Sequence, residues 1–109
     1  MLTHLPSSVA RTTQLFKSGE LPRPRLGLNC VGGASATEVA RQLAPSGTLV
    51  TYGAMSRAPL TVPTAQLIFS DLRLRGFWMT RWTRSHSLSR ARWEMLDEMQ
   101  TLCDQGYFK

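Results

Sequence analysis

The chain has 109 residues, which is the size of one domain or less. Its hydrophobic fraction of 42% is ordinary for a globular protein, and no apolar run approaches the roughly 20 residues that cross a bilayer, so we predict no membrane span. The net charge of +6 permits binding to polyanions, which leaves both a nucleic acid and a phosphorylated cofactor as candidate ligands. Cys30 and Cys103 share no metal-ligand spacing, which argues against a zinc site and against a disulfide-stapled fold.

The N-terminal segment, residues 1–21, is left without a predicted element. Residues 1–19 contain serine, threonine and basic side chains but no Asp or Glu, a composition typical of a mitochondrial presequence. The arginine content is low, however, and Pro6 weakens an amphipathic helix. We therefore keep the presequence as one hypothesis for this segment.

A strand, a helix and a second strand are predicted between residues 25 and 52. Residues 25–31 form a short apolar run before Gly32-Gly33 and predict a buried strand. Ser35 and Glu38 have the spacing of a capping box, which predicts the start of a helix. Its apolar positions share one face: Ala36, Val39, Ala40 and Leu43. The β-branched and aromatic run Thr48–Tyr52 predicts the second strand, at a distance that suits a parallel crossover.

The second half of the chain predicts a short helix, an edge strand and a long helix. The helix covers residues 64–70. The strand covers residues 72–77, where Leu72, Leu74 and Gly76 alternate with Arg73, Arg75 and Phe77. Residues 81–86 are polar and predict a loop. A helix follows from Ser87 to Gly106, with an apolar face of Leu88, Met95, Met99 and Leu102. The fold class is therefore α/β, with about three parallel strands and flanking helices.

Unusual residues lie at the carboxyl end of each of the three predicted strands. They are Asn29–Gly33 at the end of the first strand, Tyr52–Met55 at the second and Gly76–Met79 at the third. Ligands of open parallel sheets bind at the carboxyl ends of the strands, where glycine permits close approach and aromatic rings suit a planar ligand. The pattern therefore predicts a nucleotide crevice. We find no G-x-G-x-x-G fingerprint and no convincing acid, base or nucleophile in these residues.

Several runs carry a resemblance to a known family. They are Leu28–Gly33, Ser35–Glu38, Arg41–Ala44, Gly47–Met55 and Leu67–Met79. In this order and spacing they resemble the mitochondrial trans-2-enoyl-CoA reductases, a zinc-free branch of the medium-chain dehydrogenase/reductase superfamily. The resemblance is most specific from Pro22 to Trp82 and continues weakly to Gly106.

The resemblance implies that the chain is the second half of a Rossmann-type coenzyme domain, with residues 22–109 as a partial NADPH-binding domain and residues 1–21 unassigned. The parent enzyme would be a mitochondrial homodimer that reduces enoyl thioesters of CoA or acyl carrier protein with NADPH, in fatty-acid synthesis. Two stretches of the family contact the cofactor, and they match seven residues here: Tyr52, Gly53, Ala54, Met55, Phe77, Trp78 and Met79. Ala54 stands where glycine is common in the family, and Met79 where leucine is common.

The resemblance carries no catalytic residue onto this chain. The family's glycine fingerprint, its residues for the 2′-phosphate and the tyrosine proposed as proton donor would lie upstream of Met1. We therefore expect the chain to supply one wall of the cofactor cleft and to be inactive alone.

Three alternatives to this interpretation stay open. The first is a related quinone oxidoreductase. The second is a short isoform that acts as a binding or dimerising module, through an edge strand around Arg73–Phe77. The third is nucleic-acid binding by the six arginines between Arg73 and Arg92. No recognition motif accompanies these arginines, so we favour a basic surface around a phosphate-bearing cofactor and expect no nucleic-acid partner.

Overall fold

A computed structural model describes residues 4–108, with side chains from Ser8 onward. This part of the chain forms two compact units, one up to Phe77 and one from Trp78. The first unit contains six elements: α1 (His4–Lys17), β1 (Leu26–Asn29), α2 (Gly33–Gln42), β2 (Thr48–Thr51), α3 (Thr64–Phe69) and β3 (Arg73–Gly76). The second unit contains α4 (Met79–Ser85) and α5 (Arg90–Asp104). No helix formed by residues 4–108 is long and apolar enough to cross a membrane.

The three strands form one parallel sheet in the order β1-β2-β3. The predicted α/β class with about three parallel strands is therefore confirmed. Each strand is shorter than its predicted range, because the paired positions are limited to Leu26–Asn29, Thr48–Thr51 and Arg73–Gly76. Among the described residues β3 pairs only with β2, so its predicted place at an edge of the sheet is also confirmed.

The core lies between the sheet and α2. It consists of buried apolar side chains from α2, the C-cap of α2, β2 and the segment before β3: Ala40, Leu43, Leu49 and Leu72. A Cβ added to Gly27 of β1 would lie 3.0 Å from side-chain carbons of both Leu49 and Val39, so the absence of a side chain lets α2 pack closely on the strand. The predicted apolar face of α2 is confirmed.

The prediction that β1 is buried holds for only one of its faces. Gly27 and Asn29 are buried beneath α2, whereas Leu26 and Leu28 on the opposite face are 57% and 61% exposed. A run of apolar residues predicts burial on both faces, as in a sheet covered by helices on both sides. Residues 4–108 cover one side of β1, and this is why the prediction is half wrong.

The start of α2 differs from the predicted capping box. The helix begins at Gly33 with Gly32 as its N-cap, and no side chain bonds at the cap. Ser35 lies inside the first turn, and Glu38 pairs with Arg41 on the helix surface instead of reaching back to Ser35. The two glycines adopt positive φ angles of 87° and 60°, which allows the chain to enter the helix earlier than the capping rule predicts.

Two predictions in the second unit are wrong. Residues 81–86 lie almost entirely within α4, where the Trp82 and His86 rings stack at 4.4 Å, one helical turn apart. The last helix begins at Arg90 and not at Ser87, because Ser89 caps it by accepting a hydrogen bond from the Arg92 amide. Leu88 therefore precedes the helix and is 95% exposed. The predicted stop at Gly106 is confirmed by its φ of 83°.

The segment that the sequence left unassigned forms α1. Pro6 lies in the first turn of this helix, where the missing amide proton would have no helical partner, so proline is compatible with the helix. Gln42 of α2 donates to the hydroxyl of Thr13 at 2.9 Å and thereby connects the two helices. The presequence hypothesis for residues 1–19 stays a prediction.

Candidate functional site

The carboxyl ends of β1 and β2 are joined by one buried side chain, that of Asn29. Asn29 is only 4% exposed, and its amide group donates to the Thr51 hydroxyl at 3.1 Å. The side-chain carbonyl oxygen of Asn29 accepts from the backbone amides of Val31 and Gly32, both at 3.0 Å. The side chain therefore fixes the end of one strand against the next and shapes the turn into α2. The sequence places Asn29 among the strand-end residues of the predicted crevice but does not predict its bond to Thr51, although a polar residue at an inward position of an apolar strand indicates a buried hydrogen bond.

The turn at Gly32 is in close contact with the loop that follows β2. A Cβ on Gly32 would lie 2.7 Å from the carbonyl oxygen of Ala58, and one on Gly33 would lie 3.2 Å from the Ala58 Cβ. Thr37 of α2 donates to the carbonyl oxygen of Thr61 at 2.6 Å, further along the same loop. The loop is therefore packed over the beginning of α2.

Backbone hydrogen bonds continue from β1 and β2 into this loop. The amide of Tyr52 donates to the Asn29 carbonyl oxygen at 2.9 Å, and that of Met55 donates to Cys30 at 3.0 Å. The amide and the hydroxyl of Ser56 both donate to the Val31 carbonyl oxygen, at 2.9 and 2.6 Å. The four residues predicted to contact the cofactor after β2 are thus held between two bonded positions.

Within the first unit the structure brings five of the seven predicted residues to neighbouring strand ends. Tyr52, Gly53, Ala54 and Met55 follow β2, and Met55 is 82% exposed. Phe77 follows β3, and its amide donates to the Thr51 carbonyl oxygen at 2.9 Å. Phe77 also borders a groove of about 390 Å³ along the open face of β2 and β3. These residues form an exposed, partly aromatic surface at the carboxyl edge of the sheet, where open α/β folds bind ligands.

The other two predicted residues belong to the second unit. Trp78 is the residue before α4, and the guanidinium of Arg81 lies 5.5 Å from the centre of its indole ring. Met79 is the first residue of α4. Both side chains are about half exposed. Arg81 therefore contacts Trp78 through a cation–π interaction on the surface of this unit.

The hydroxyl of Tyr52 differs electrostatically from a free phenol. The Cys30 thiol, first by hydrogen bonding and then by its charge when ionised, raises the pKa of Tyr52 above the ordinary value of 10.0. Tyr52 is therefore a neutral phenol at physiological pH, able to donate one hydrogen bond. Within residues 4–108, no group of three or more His, Cys, Asp or Glu side chains forms a metal site.

Comparison with known sequences identifies relatives with a common description. No family model matches the chain. It is 52% identical over 87 residues to a mitochondrial enoyl-[acyl-carrier-protein] reductase from Rattus norvegicus. The aligned segment covers 80% of this chain and 23% of that protein. It is 59% identical over 68 residues to the enzyme of that name from Dictyostelium discoideum, covering 62% of this chain and 19% of the relative. The chain spans about a quarter of the length of the relatives it matches.

Comparison with solved structures also finds enoyl-thioester reductases. A mitochondrial 2-enoyl thioester reductase heterodimer, Etr1p/Etr2p from Candida tropicalis, matches with a TM-score of 0.78 and 31% identity, covering 93% of this chain and 27% of that chain. A complex of Etr1p with NADP and crotonyl-CoA matches equally well, with the same coverage. A bacterial protein from Mesorhizobium loti, assigned as an NADPH:quinone reductase, has a TM-score of 0.72 at 22% identity and so shares the fold alone. The resemblance to mitochondrial enoyl-thioester reductases is confirmed for a segment of these enzymes.

Proposed function

We propose that this chain is the segment of an NADPH-dependent enoyl-thioester reductase that provides one wall of the cofactor cleft, in mitochondrial fatty-acid synthesis. The observation that supports this most directly is the arrangement at the carboxyl edge of the sheet, where Tyr52–Met55 and Phe77 follow neighbouring strands. Relatives that are about 50% identical in sequence to this chain are named as mitochondrial enoyl-acyl-carrier-protein reductases, and a similar solved structure, that of Etr1p, contains NADP and crotonyl-CoA.

The residues at the strand ends fit a nucleotide cofactor. A Cβ added to Gly76 would meet no atom within 4 Å, so the end of β3 leaves open space beside Phe77. Tyr52 and Met55 are exposed on the neighbouring strand end. NADPH, when bound, supplies the hydride for reduction of the substrate double bond. In our proposal Tyr52–Met55 and Phe77 of the first unit contact the cofactor. Contact by Trp78 and Met79, which belong to the second unit, is proposed from the resemblance alone.

The substrates and the assembly belong to the same proposal. We infer that the complete enzyme acts on enoyl-CoA or enoyl-acyl-carrier-protein thioesters, because the relatives and the bound ligand of Etr1p carry these names. We also propose a homodimer. Two observations support dimer formation: Etr1p and Etr2p form a heterodimer, and β3 has an unpaired edge in residues 4–108.

Sequence identity favours assignment as an enoyl-thioester reductase over assignment as a quinone oxidoreductase. The enoyl reductases match at 30% to 59% identity, whereas the quinone reductase from Mesorhizobium loti matches at 22%. Both share the sheet, so the fold does not separate the two activities. The difference must therefore be tested with substrates of both classes.

A segment exchange tests the proposal. The aligned 87 residues of this chain replace those of the rat enzyme, and NADPH-dependent reduction of crotonyl-CoA is compared with reduction of a quinone. We expect the chimera to reduce crotonyl-CoA with a kcat/KM within about tenfold of that of the rat enzyme. This limit corresponds to a loss of at most about 1.4 kcal/mol in transition-state binding. We expect no turnover from the 109-residue chain alone. A folded chimera that reduces only the quinone would overturn the enoyl-thioester assignment.

A matched pair of methionine variants locates the cofactor surface in the chimera. Met55 is almost fully exposed at the proposed site, while Met99 is half exposed on α5 and outside it. Met55→Ala is expected to raise the KM for NADPH several-fold, whereas Met99→Ala leaves it unchanged. Equal effects of the two variants would show that Met55 does not contact the cofactor.

A further inference from the structure

We propose that Asn29 is a positioning residue that sets the location of the Tyr52–Met55 loop and acts through the hydroxyl of Thr51. The effect on the cofactor rests on the proposed function, whereas the effect on the loop does not. Asn29 lies behind the strand ends and is 4% exposed, so it is a poor candidate for direct ligand contact. Its influence on a ligand must therefore pass through the residues that it bonds.

Because Asn29 is buried, its hydrogen bonds explain why a polar residue stands at this position. It shares the inward face of β1 with Gly27, where Leu49 and α2 form an apolar core. A buried amide without partners is costly, and an apolar side chain would suit this face better. Asn29 instead makes three hydrogen bonds, to Thr51, Val31 and Gly32. These bonds connect two neighbouring loops, and no apolar residue could do so.

Thr51 passes this connection to both parts of the proposed cofactor wall. Its hydroxyl accepts from the Asn29 side chain, while its carbonyl oxygen accepts from the Phe77 amide. The next residue, Tyr52, donates its own amide to the carbonyl oxygen of Asn29. A change in the position of Thr51 would therefore move Tyr52 and Phe77 together.

The far end of the loop is attached to the same segment of chain. Ser56 donates to the Val31 carbonyl oxygen, and the Val31 amide is held by the Asn29 side chain. The loop from Tyr52 to Ser56 is thus bonded at both ends to residues that Asn29 orients. Only Gly53 and Ala54 lack such a backbone bond from their amides to β1 or its extension.

Amide hydrogen exchange in the complete 109-residue chain tests the positioning. Asn29→Ala removes all three bonds but endangers folding, so the decisive pair is Thr51→Val, which removes the hydroxyl, and Thr51→Ser, which retains it. Thr51→Val is expected to speed exchange at the Tyr52 and Met55 amides by about tenfold, the effect of one lost hydrogen bond. Thr51→Ser should restore the wild-type rates. Equal exchange rates in the two variants would overturn the proposal.

Kinetics in the rat chimera test the consequence for the cofactor. Thr51→Val is expected to raise the KM for NADPH about fivefold with little change in kcat, and Thr51→Ser to restore it. An unchanged KM with faster exchange would overturn the effect on the cofactor and support the effect on the loop. An inactive parent chimera would count against the proposed function, while the exchange experiment would still decide the role of Asn29.

Discussion

Gly32 and Ala58 are in closer contact than any other residue type at position 32 would allow. A Cβ on Gly32 would lie 2.7 Å from the Ala58 carbonyl oxygen, and the φ of Gly32 is 87°. The glycine therefore serves two purposes, a left-handed turn and a close approach of two loops. Both purposes concern the strand ends where we place the cofactor.

Gly32→Ala is expected to destabilise the first unit by more than backbone strain alone. Gly19 provides the control, because its φ is 78° and an added Cβ would meet nothing within 4 Å. We expect Gly19→Ala to lower the free energy of unfolding by about 1–2 kcal/mol, the cost of the left-handed conformation. Gly32→Ala should cost about 1–3 kcal/mol more because the Ala58 loop must move. Urea denaturation followed by circular dichroism measures both, and equal losses would argue against the close contact.

The glycine turn also shows what the sequence could and could not predict. Gly32-Gly33 indicated the end of a strand, and the structure confirms it. The start of α2 could not be predicted from the local capping rule, because the turn is stabilised by Asn29 from the preceding strand. Residues 81–86 were predicted as a loop from their polarity, although stacking of Trp82 on His86 supports a helix there. A specific side-chain contact, and not residue type alone, decided both cases.

Two glycines at strand ends are expected to respond differently to alanine. A Cβ on Gly53 would lie 3.1 Å from the Cys30 carbonyl oxygen, whereas one on Gly76 would meet nothing within 4 Å. Gly53→Ala should therefore cost about 1 kcal/mol of stability because Cys30 must shift. Gly76→Ala should be neutral or slightly stabilising, because alanine has less freedom in the unfolded chain.

Binding of NADPH distinguishes the roles of these two glycines. If the cofactor occupies the open space at the end of β3, Gly76→Ala will weaken binding in the chimera without loss of stability. Fluorescence titration with NADPH and thermal unfolding of the same samples provide the two measurements. Unchanged affinity in a stable Gly76→Ala variant would place the cofactor away from the end of β3.

The pH dependence of Tyr52 follows from its contact with Cys30. Since the pKa of Tyr52 is raised, the folded chain holds the phenol proton more tightly than the unfolded chain. This contribution to stability is complete below about pH 10 and is lost as the pH rises through the raised value. In a Tyr107→Phe background, the absorbance of the Tyr52 phenolate should rise with a midpoint above pH 10.0, the ordinary tyrosine value. Cys30→Ala should lower the midpoint toward that value, and an unchanged midpoint would exclude Cys30 as the cause.

The candidate site could be predicted in part from the sequence. The strand-end positions of Tyr52–Met55 and Phe77 follow from the parallel pattern, and the structure places them at neighbouring ends. Their contact with a cofactor stays a prediction that rests on the resemblance. Asn29 also lies at a predicted strand end, but its hydrogen bond to Thr51 could not be predicted from the pattern, because the bond joins residues 22 positions apart.

The open face of the sheet predicts the behaviour of the isolated chain. Leu26 and Leu28 are more than half exposed on the face opposite α2, and every residue of β3 is exposed at the edge of the sheet. Exposed apolar patches and unpaired strand edges both favour association. We therefore expect the 109-residue chain to be poorly stable and to form larger species as its concentration rises. Light scattering and thermal unfolding at several concentrations provide the measurement.

Paired variants determine whether the open face causes this association. Threonine suits a strand and is less apolar than leucine, so Leu26→Thr with Leu28→Thr should reduce association while retaining the sheet. Leu88→Thr is the control, because Leu88 is 95% exposed and lies outside the sheet in the second unit. If both changes reduce association equally, general hydrophobicity is the cause and the open face is not. A cooperative transition of a monomeric wild-type chain would show that residues 1–109 form a stable unit without a cover on this face.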